Sequence, residues 1–306
     1  RVAAGREAAS GRGRTPQKLQ TARPIRGGIV TDLDLFGGML HRFLEKAHLA
    51  RPWRRMKAAI AVPGSLTDVE RLAVVESLKE AGAACVLLVD QVLAAALGAG
   101  LAIEEPRGRM VVDIGAGVTN VAILSLGNAV YARAVRVGGD DMDAAIVTHA
   151  LASHQLVIGE PTAERLKIEI GSAVSGHHEA ALAIKGRCAA RGIPRRVTIQ
   201  SGEITEAIAP PLKKIVRAIR EALEEAPPEL SADLVETGIV LTGGSALLRD
   251  LDRFISRDCG LPVSIAPDPL SCVIRGLAHQ LNGFRASDWR RFSDTAFQTG
   301  VCAQIS

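Results

Sequence analysis

The sequence predicts an α/β fold of two lobes, and three observations predict it. Between residues 58 and 98 apolar strands alternate with helical patterns, the order that places a sheet between helical layers. The stretch Val111-Val112-Asp113-Ile114-Gly115-Ala116-Gly117-Val118-Thr119 turns on two glycines inside what reads as a β-hairpin. A second glycine turn, Thr242-Gly243-Gly244-Ser245-Ala246-Leu247, opens out of the strand at residues 238–241. With 306 residues, 47% of them hydrophobic, the chain can build one large two-lobed domain or two domains with separate cores.

The first glycine turn carries the chemistry. Gly115 and Gly117 let the backbone turn with exposed N–H groups and no Cβ in the way, which close approach to a phosphate needs. Asp113, at the mouth of the turn, suits a hydrated Mg²⁺, a metal that takes one or two carboxylates plus water and phosphate oxygens. In a P-loop or a dinucleotide fingerprint the glycines open a helix. Here residues 118–126 stay β-branched and apolar, and Gly127-Asn128 turns into a second β-rich run at 129–137. A phosphate loop inside a hairpin points to the actin, Hsp70 and sugar-kinase superfamily; the plain alternative is an ordinary glycine turn.

The elements follow in order. Leu35, Met39, Leu40 and Phe43 recur at helical spacing, and a basic linker, residues 48–57, leads to a strand at 58–62. Thr67 and Glu70 form a capping box for a helix to about Ala81, with Val69, Leu72, Val75 (or Ala73) and Leu78 facing inward. Val86 to Val89 is a buried strand, and Asp90-Gln91 leads into a helix of small residues, 92–98. Further helices are expected from near Asp140, over 162–173, from Ser201 and Glu203, from Pro210-Pro211 to Ala226, from Gly244 to about Cys259, and over 269–281. Residues 177–196 read mostly as loop or short strand. His177-His178 lacks a third ligand at metal-site spacing and reads as a solvated pair.

Composition narrows the class. No apolar run reaches the ~18 residues of a membrane span, and no basic-then-apolar leader opens the chain. Five scattered cysteines without a CxxC pair argue for reduced thiols in a cytoplasm. The net charge of +4 does not by itself imply nucleic acid, and the basic excess of residues 1–26 reads as a solvated face.

Several ordered segments resemble the MreB family of bacterial actins, almost to residue 281. They are Gly5-Arg6-Glu7-Ala8, Arg23-Pro24-Ile25-Arg26-Gly27-Gly28, Val62-Pro63 with Thr67-Asp68-Val69-Glu70-Arg71, and Val137-Gly138-Gly139-Asp140-Asp141-Met142-Asp143. Ile158-Gly159-Glu160-Pro161-Thr162-Ala163-Glu164-Arg165-Leu166-Lys167 and Pro227-Pro228-Glu229-Leu230 through residue 248 complete the set. The resemblance implies an actin-like, ribonuclease H-like two-lobed ATPase fold, N-terminally truncated so that it lacks the first phosphate loop. Its domains would be a remnant of small domain IB (1–27), an incomplete domain IA with the second phosphate loop (28–125), domain II (126–267, with IIB inserted at about 160–237), a return helix (268–281) and a mobile tail (282–306). It further implies an ATP-binding protein of the cytoplasm that forms membrane-associated filaments with copies of itself. Its partners would be the cytoplasmic membrane surface and cell-wall elongation proteins, not nucleic acid.

The same resemblance assigns phosphate contacts to Gly115, Ala116, Gly117 and Thr119, with Asp113 holding Mg²⁺ through water. Ribose and base contacts fall to Glu164, Arg165 and Lys167, and the adenosine loop to Gly243, Gly244, Ser245, Ala246 and Leu247. Read without the family, Glu164 and Lys167 are an i,i+3 surface ion pair. Asp90 or Gln91 would orient the attacking water, although the family carries two glutamates there. The missing first phosphate loop and the shorter Asp90 leave two functions open: an ATPase with slow turnover, or a non-catalytic scaffold or truncated fragment with weak nucleotide binding. Leu49 and Trp53, flanked by cations, are expected either to touch a membrane or to belong to an exposed interdomain loop with Trp53 tucked onto the core.

Overall fold

A computed structural model describes residues 21–46, 56–176 and 179–283, with Ala4, Gly5, Ala8 and Gly11. The membrane-contact residues Leu49 and Trp53, the pair His177-His178 and the tail from residue 284 lie outside the described residues.

In chain order the elements are β1 (Ile25–Arg26), β2 (Ile29–Val30), α1 (Leu33–Lys46), β3 (Met56–Val62), α2 (Asp68–Glu80), β4 (Ala83–Asp90), α3 (Gln91–Gly98), β5 (Arg109–Ile114), β6 (Thr119–Ser125) and β7 (Asn128–Val135). There follow α4 (Gly139–His154), β8 (Leu156–Val157), α5 (Glu160–Ile170), β9 (Ala181–Cys188), β10 (Pro194–Gln200), α6 (Ser201–Glu225) and α7 (Pro228–Thr237). The last described elements are β11 (Ile239–Thr242), a 3₁₀ turn (Gly244–Leu247), α8 (Leu251–Cys259), β12 (Val263–Ile265) and α9 (Cys272–Gly283).

The strands divide into separate sheets. β3 and β4 pair in parallel, while β12-β11-β5-β6-β7 form a five-stranded sheet. In the latter, β12, β11 and β5 run parallel and the β5-β6-β7 meander is antiparallel. The glycine-turn hairpin belongs with β7, β11 and β12, so the sheets part between α3 and β5, near residues 99–108. Hydrogen-bond partners, which the linear order of strands does not disclose, decide it.

Period-two alternation along β5 sends successive side chains to opposite faces. Met110, Val112 and Ile114 enter a large core with Met142 and Ile146 of α4 and Ile204, Ile208 and Leu212 of α6. Val111 joins Ala122 and Leu124 of β6 on the other face, beneath Val92, Ala95 and Ala96 of α3. Asp113 and Asn120 have the parity of Val111 and Ala122, and they pair across the hairpin. The acidic residue therefore sits on the face that α3 covers.

Four expectations change. In α2 the capping box forms as expected, yet Val69 is 78% and Leu72 42% exposed while Val74, Ser77 and Leu78 are buried, so the inner face is rotated. In α1 the buried residue is Phe36, with Leu35 and Phe43 exposed, again one residue away from the expected stripe. Pro210 and Pro211 lie inside α6 rather than before a helix. Each removes a backbone donor, but the helix already has Ile204 and Ile208 anchored in the core before them and Leu212 and Ile215 after. Residues 181–196, expected to be mostly loop or short strand, instead supply an eight-residue β9 and the start of β10, which pair as a hairpin.

The helix starting at Asp68 offers a direct check of local chemistry. Thr67 Oγ1 accepts from the Glu70 N–H and Glu70 Oε2 accepts from the Thr67 N–H at 2.8 Å. Thr67→Ala is expected to cost ~1 kcal/mol in denaturant unfolding; no change would show that the cap is dispensable.

Candidate functional site

The site is built where the N-terminus of α3, the β5-β6 turn and the end of β11 meet. β4 ends at Asp90, whose Oδ1 accepts from the Val92 N–H at 2.9 Å and so caps α3. Because the strand has already ended there, Gln91 is helical, and its side chain turns onto the sheet. Gln91 Nε2 donates to Asp113 Oδ2 at 2.6 Å, and Thr242 Oγ1, in register with Asp113 on β11, donates to Oδ1 at 3.1 Å. Of the two water-orienting candidates, the structure brings Gln91 rather than Asp90 against Asp113.

Asp113 is only 2% exposed. Burial pushes its carboxyl above the ordinary carboxylate range, against the Gln91 and Thr242 hydrogen bonds that favour the charged form. Asp90 is pushed in the same direction by burial, against its bond from Val92. Asn120 is also buried and near enough to Asp113 to favour its charge, yet neither of its amide atoms makes a hydrogen bond of good geometry. A buried amide without a partner costs free energy, and one facing a lone carboxylate is an opening for a further polar ligand.

The turn itself is held by its carbonyls. Gly115 O accepts from Gly139 N at 3.1 Å and from Ser245 Oγ at 2.9 Å, and Ala116 O accepts from Asp140 N at 2.7 Å. The N–H groups of Ala116 and Gly117 make no hydrogen bond among the described residues, so the turn presents donors rather than acceptors. Close approach dictates glycine at two places. A Cβ on Gly138 would fall 2.6 Å from Ala116 O, and one on Gly243, which also has a φ of 84°, would fall 2.4 Å from Ile114 O. The two glycine turns, distant in sequence, are thus in contact through backbone. Thr119 Oγ1 is buried and donates to Val137 O at 2.8 Å, so it braces the hairpin from inside.

The remaining assigned residues separate into two groups. Lys167 reaches inward, pairing with Asp143 at 2.8 Å and donating to Gly139 O at 2.9 Å. Asp143 is 6% exposed and its carboxyl is raised by burial, which Lys167 opposes. The i,i+3 pair of Lys167 with Glu164 does not form. Glu164 is exposed on α5, and Arg165 pairs loosely with Glu169 at 3.8 Å. Gly243 N donates to Pro269 O, Ala246 is fully buried and Leu247 is 55% exposed. The expected single helix after Gly244 is a 3₁₀ turn and then α8, because Asp250 takes a left-handed φ of 58° between them.

Thr242, Asn120, Asp143 and the pair Gly138-Gly139 were not among the expected site residues. The glycine pair before an acidic helix start was a visible signal. The other three depend on strand register and helix docking.

The MreB/Mbl protein family model matches residues 1–288. The chain belongs to this family. It is 46% identical to the cell shape-determining protein MreB of Escherichia coli (strain K12) over 278 residues, 90% of this chain and 80% of that relative. It is 35% identical to the cell shape-determining protein Mbl of Bacillus subtilis (strain 168), over 95% of this chain and 88% of the relative. The crystal structure of MreB 5 of Spiroplasma citri bound to AMPPNP superposes with a TM-score of 0.86 at 33% identity, covering 92% of this chain and 86% of that one. The MamK double helical filament superposes at 0.72 with 20% identity, covering 86% and 81%, a likeness of fold. The actin-like fold expected from the glycine-turn hairpin is the fold of this MreB/Mbl chain.

Proposed function

We propose that this MreB/Mbl chain is an actin-like cytoskeletal protein that binds ATP between its glycine turns and assembles with copies of itself into filaments that set cell shape. One observation carries the reading: the two glycine turns meet around the buried Asp113, with the N–H groups of Ala116 and Gly117 left as donors. The relatives are named for cell shape, and neighbouring structures hold AMPPNP and ADP.

In this reading the turn donors bind phosphate oxygens, Ser245 and Gly243 hold the nucleoside side of the cleft, and Lys167 and Glu164 line it. A single buried carboxylate beside an unpartnered Asn120 amide fits a water-held Mg²⁺, with hard oxygen donors and no soft ligand. Asp113 would anchor that ion, which when bound neutralises phosphate charge. Gln91, at the mouth of α3, orients water. The cytoplasmic membrane surface and the cell-wall elongation proteins are the filament's proposed partners. Among the described residues no helix is long and apolar enough to cross a membrane.

The scaffold reading has its own observation. Asp90 Oδ1 is tied into the α3 cap and Gln91 Nε2 is held by Asp113, so each side chain is fixed in direction and offers water only its remaining oxygen. Full-length protein titrated with fluorescent ATP, sedimented and assayed for phosphate release decides between them. Nucleotide binding with nucleotide-dependent sedimentation is expected, with slow phosphate release. Failure to bind any adenine nucleotide would overturn the proposal, and assembly indifferent to ATP, ADP and AMPPNP would leave the scaffold.

A further inference from the structure

We propose that His149, His154 and Glu203 form a binding site for a divalent transition cation of the zinc type, remote from the glycine turns. His149 and His154 stand near the end of α4, and Glu203 in the first turn of α6. His154 Nε2 lies 2.5 Å and His149 Nε2 3.4 Å from the same atom, Glu203 Oε2, and the three potential ligand atoms all fall within 4.8 Å of one another. Two imidazole nitrogens and one carboxylate oxygen are the ligand set of three-coordinate protein sites that leave a fourth position for water.

The local chain explains the convergence. Residues five apart on a helix do not share a face, but His154 is the last residue of α4, and Gln155 then turns left-handed with a φ of 50°. The His154 ring can therefore swing toward His149, and the two ring centroids are 6.4 Å apart in an edge-on arrangement. Glu203 is oriented from behind: its Oε1 accepts from the Gln200 N–H at 2.9 Å in a capping box, which leaves Oε2 to the imidazoles. Such outer hydrogen bonds fix a ligand's direction. The described cation beside the cluster, Arg195, spends Nη1 on the His154 carbonyl at 3.2 Å. The side chains are 19%, 22% and 26% exposed, so an ion can enter from solvent.

Tetrahedral ligands at ~2.1 Å from zinc stand ~3.4 Å apart. The His149–Glu203 separation of 3.4 Å already matches, and the His154 contact must open by about 1 Å. Zinc here ties the end of α4 to the start of α6, while the opposite end of α4 carries Gly139 and Asp143.

Equilibrium dialysis of the full-length protein against Zn²⁺, with metal content measured, tests the site. The parent is expected to hold one more equivalent than His149→Gln, and Glu203→Gln, which keeps its capping oxygen but loses the carboxylate ligand, is expected to bind that equivalent more weakly by more than the ~10–100-fold that loss of an outer hydrogen-bond partner costs. Co²⁺ substitution is expected to give a visible spectrum of nitrogen and oxygen ligation that His154→Gln abolishes. Equal zinc content and affinity in the parent and all three folded variants, or a thiolate spectrum that none of them changes, would overturn the proposal and leave a hydrogen-bonded triad.

Discussion

Asp113→Asn is expected to lower phosphate release from ATP at least ~100-fold while the protein stays folded. The substitution keeps the shape, and Oδ1 still accepts from Thr242. The new amide faces Gln91 Nε2, donor against donor, and a half-turn of the Gln91 amide restores the bond. What is lost is the negative charge on the buried face of β5, the charge proposed to anchor Mg²⁺. Unchanged phosphate release would remove Asp113 from the site.

Asp113 also carries a pH signature. Burial raises its folded-state pKa, so the folded protein takes up a proton more readily there than the unfolded chain. The stabilising contribution is fully present below the ordinary carboxylate value of ~3.9 and is lost as pH rises through the raised folded value. At neutral pH the charged, desolvated Asp113 is therefore a cost that acidification relieves. Asp90 and Asp143 are shifted the same way and behave alike in parent and variant. The difference in melting temperature between Asp113→Asn and parent is expected to be largest near neutral pH and to shrink on acidification. A difference independent of pH would mean that the carboxylate is not desolvated.

Gly276→Ala is expected to destabilise the protein by ~1–3 kcal/mol, and Gly98→Ala by as much. In most helix interiors glycine to alanine gains up to ~1 kcal/mol. These two glycines lie where α9 crosses α3. A Cβ on Gly98 would fall 1.7 Å from Cys272 O, and one on Gly276 1.8 Å from Ala94 O. The obstacles are backbone atoms, so relief requires the helices to separate, which uncovers Val273 and Leu277 from the cores beneath. Gly202→Ala in α6 serves as the control, since a Cβ there meets nothing within 4 Å; it is expected to be neutral or stabilising. Denaturant unfolding measures all three, and a stabilising Gly276→Ala would show that the crossing is looser than described.

Local chemistry was enough for much of this protein. The Thr67–Glu70 capping box, the strand-helix alternation, the hairpin around Gly115 and Gly117 and the family segments are short-range patterns, and a sequence displays them because neighbouring residues decide them. Docking decided the rest. Val69 and Leu72 look inward on a helical wheel, yet the side of α2 that meets β4 is fixed by partners elsewhere in the chain. Gln91 could be placed against Asp113 only once β4 was seen to end at Asp90 and α3 to cover the Val111 face of β5. The Lys167–Asp143 pair and the meeting of Ser245 with Gly115 join residues that no local rule connects. A backbone pattern tells a side chain which periodicity to follow, whereas which face is buried, and beside which charge, depends on the free energy of packing whole elements together.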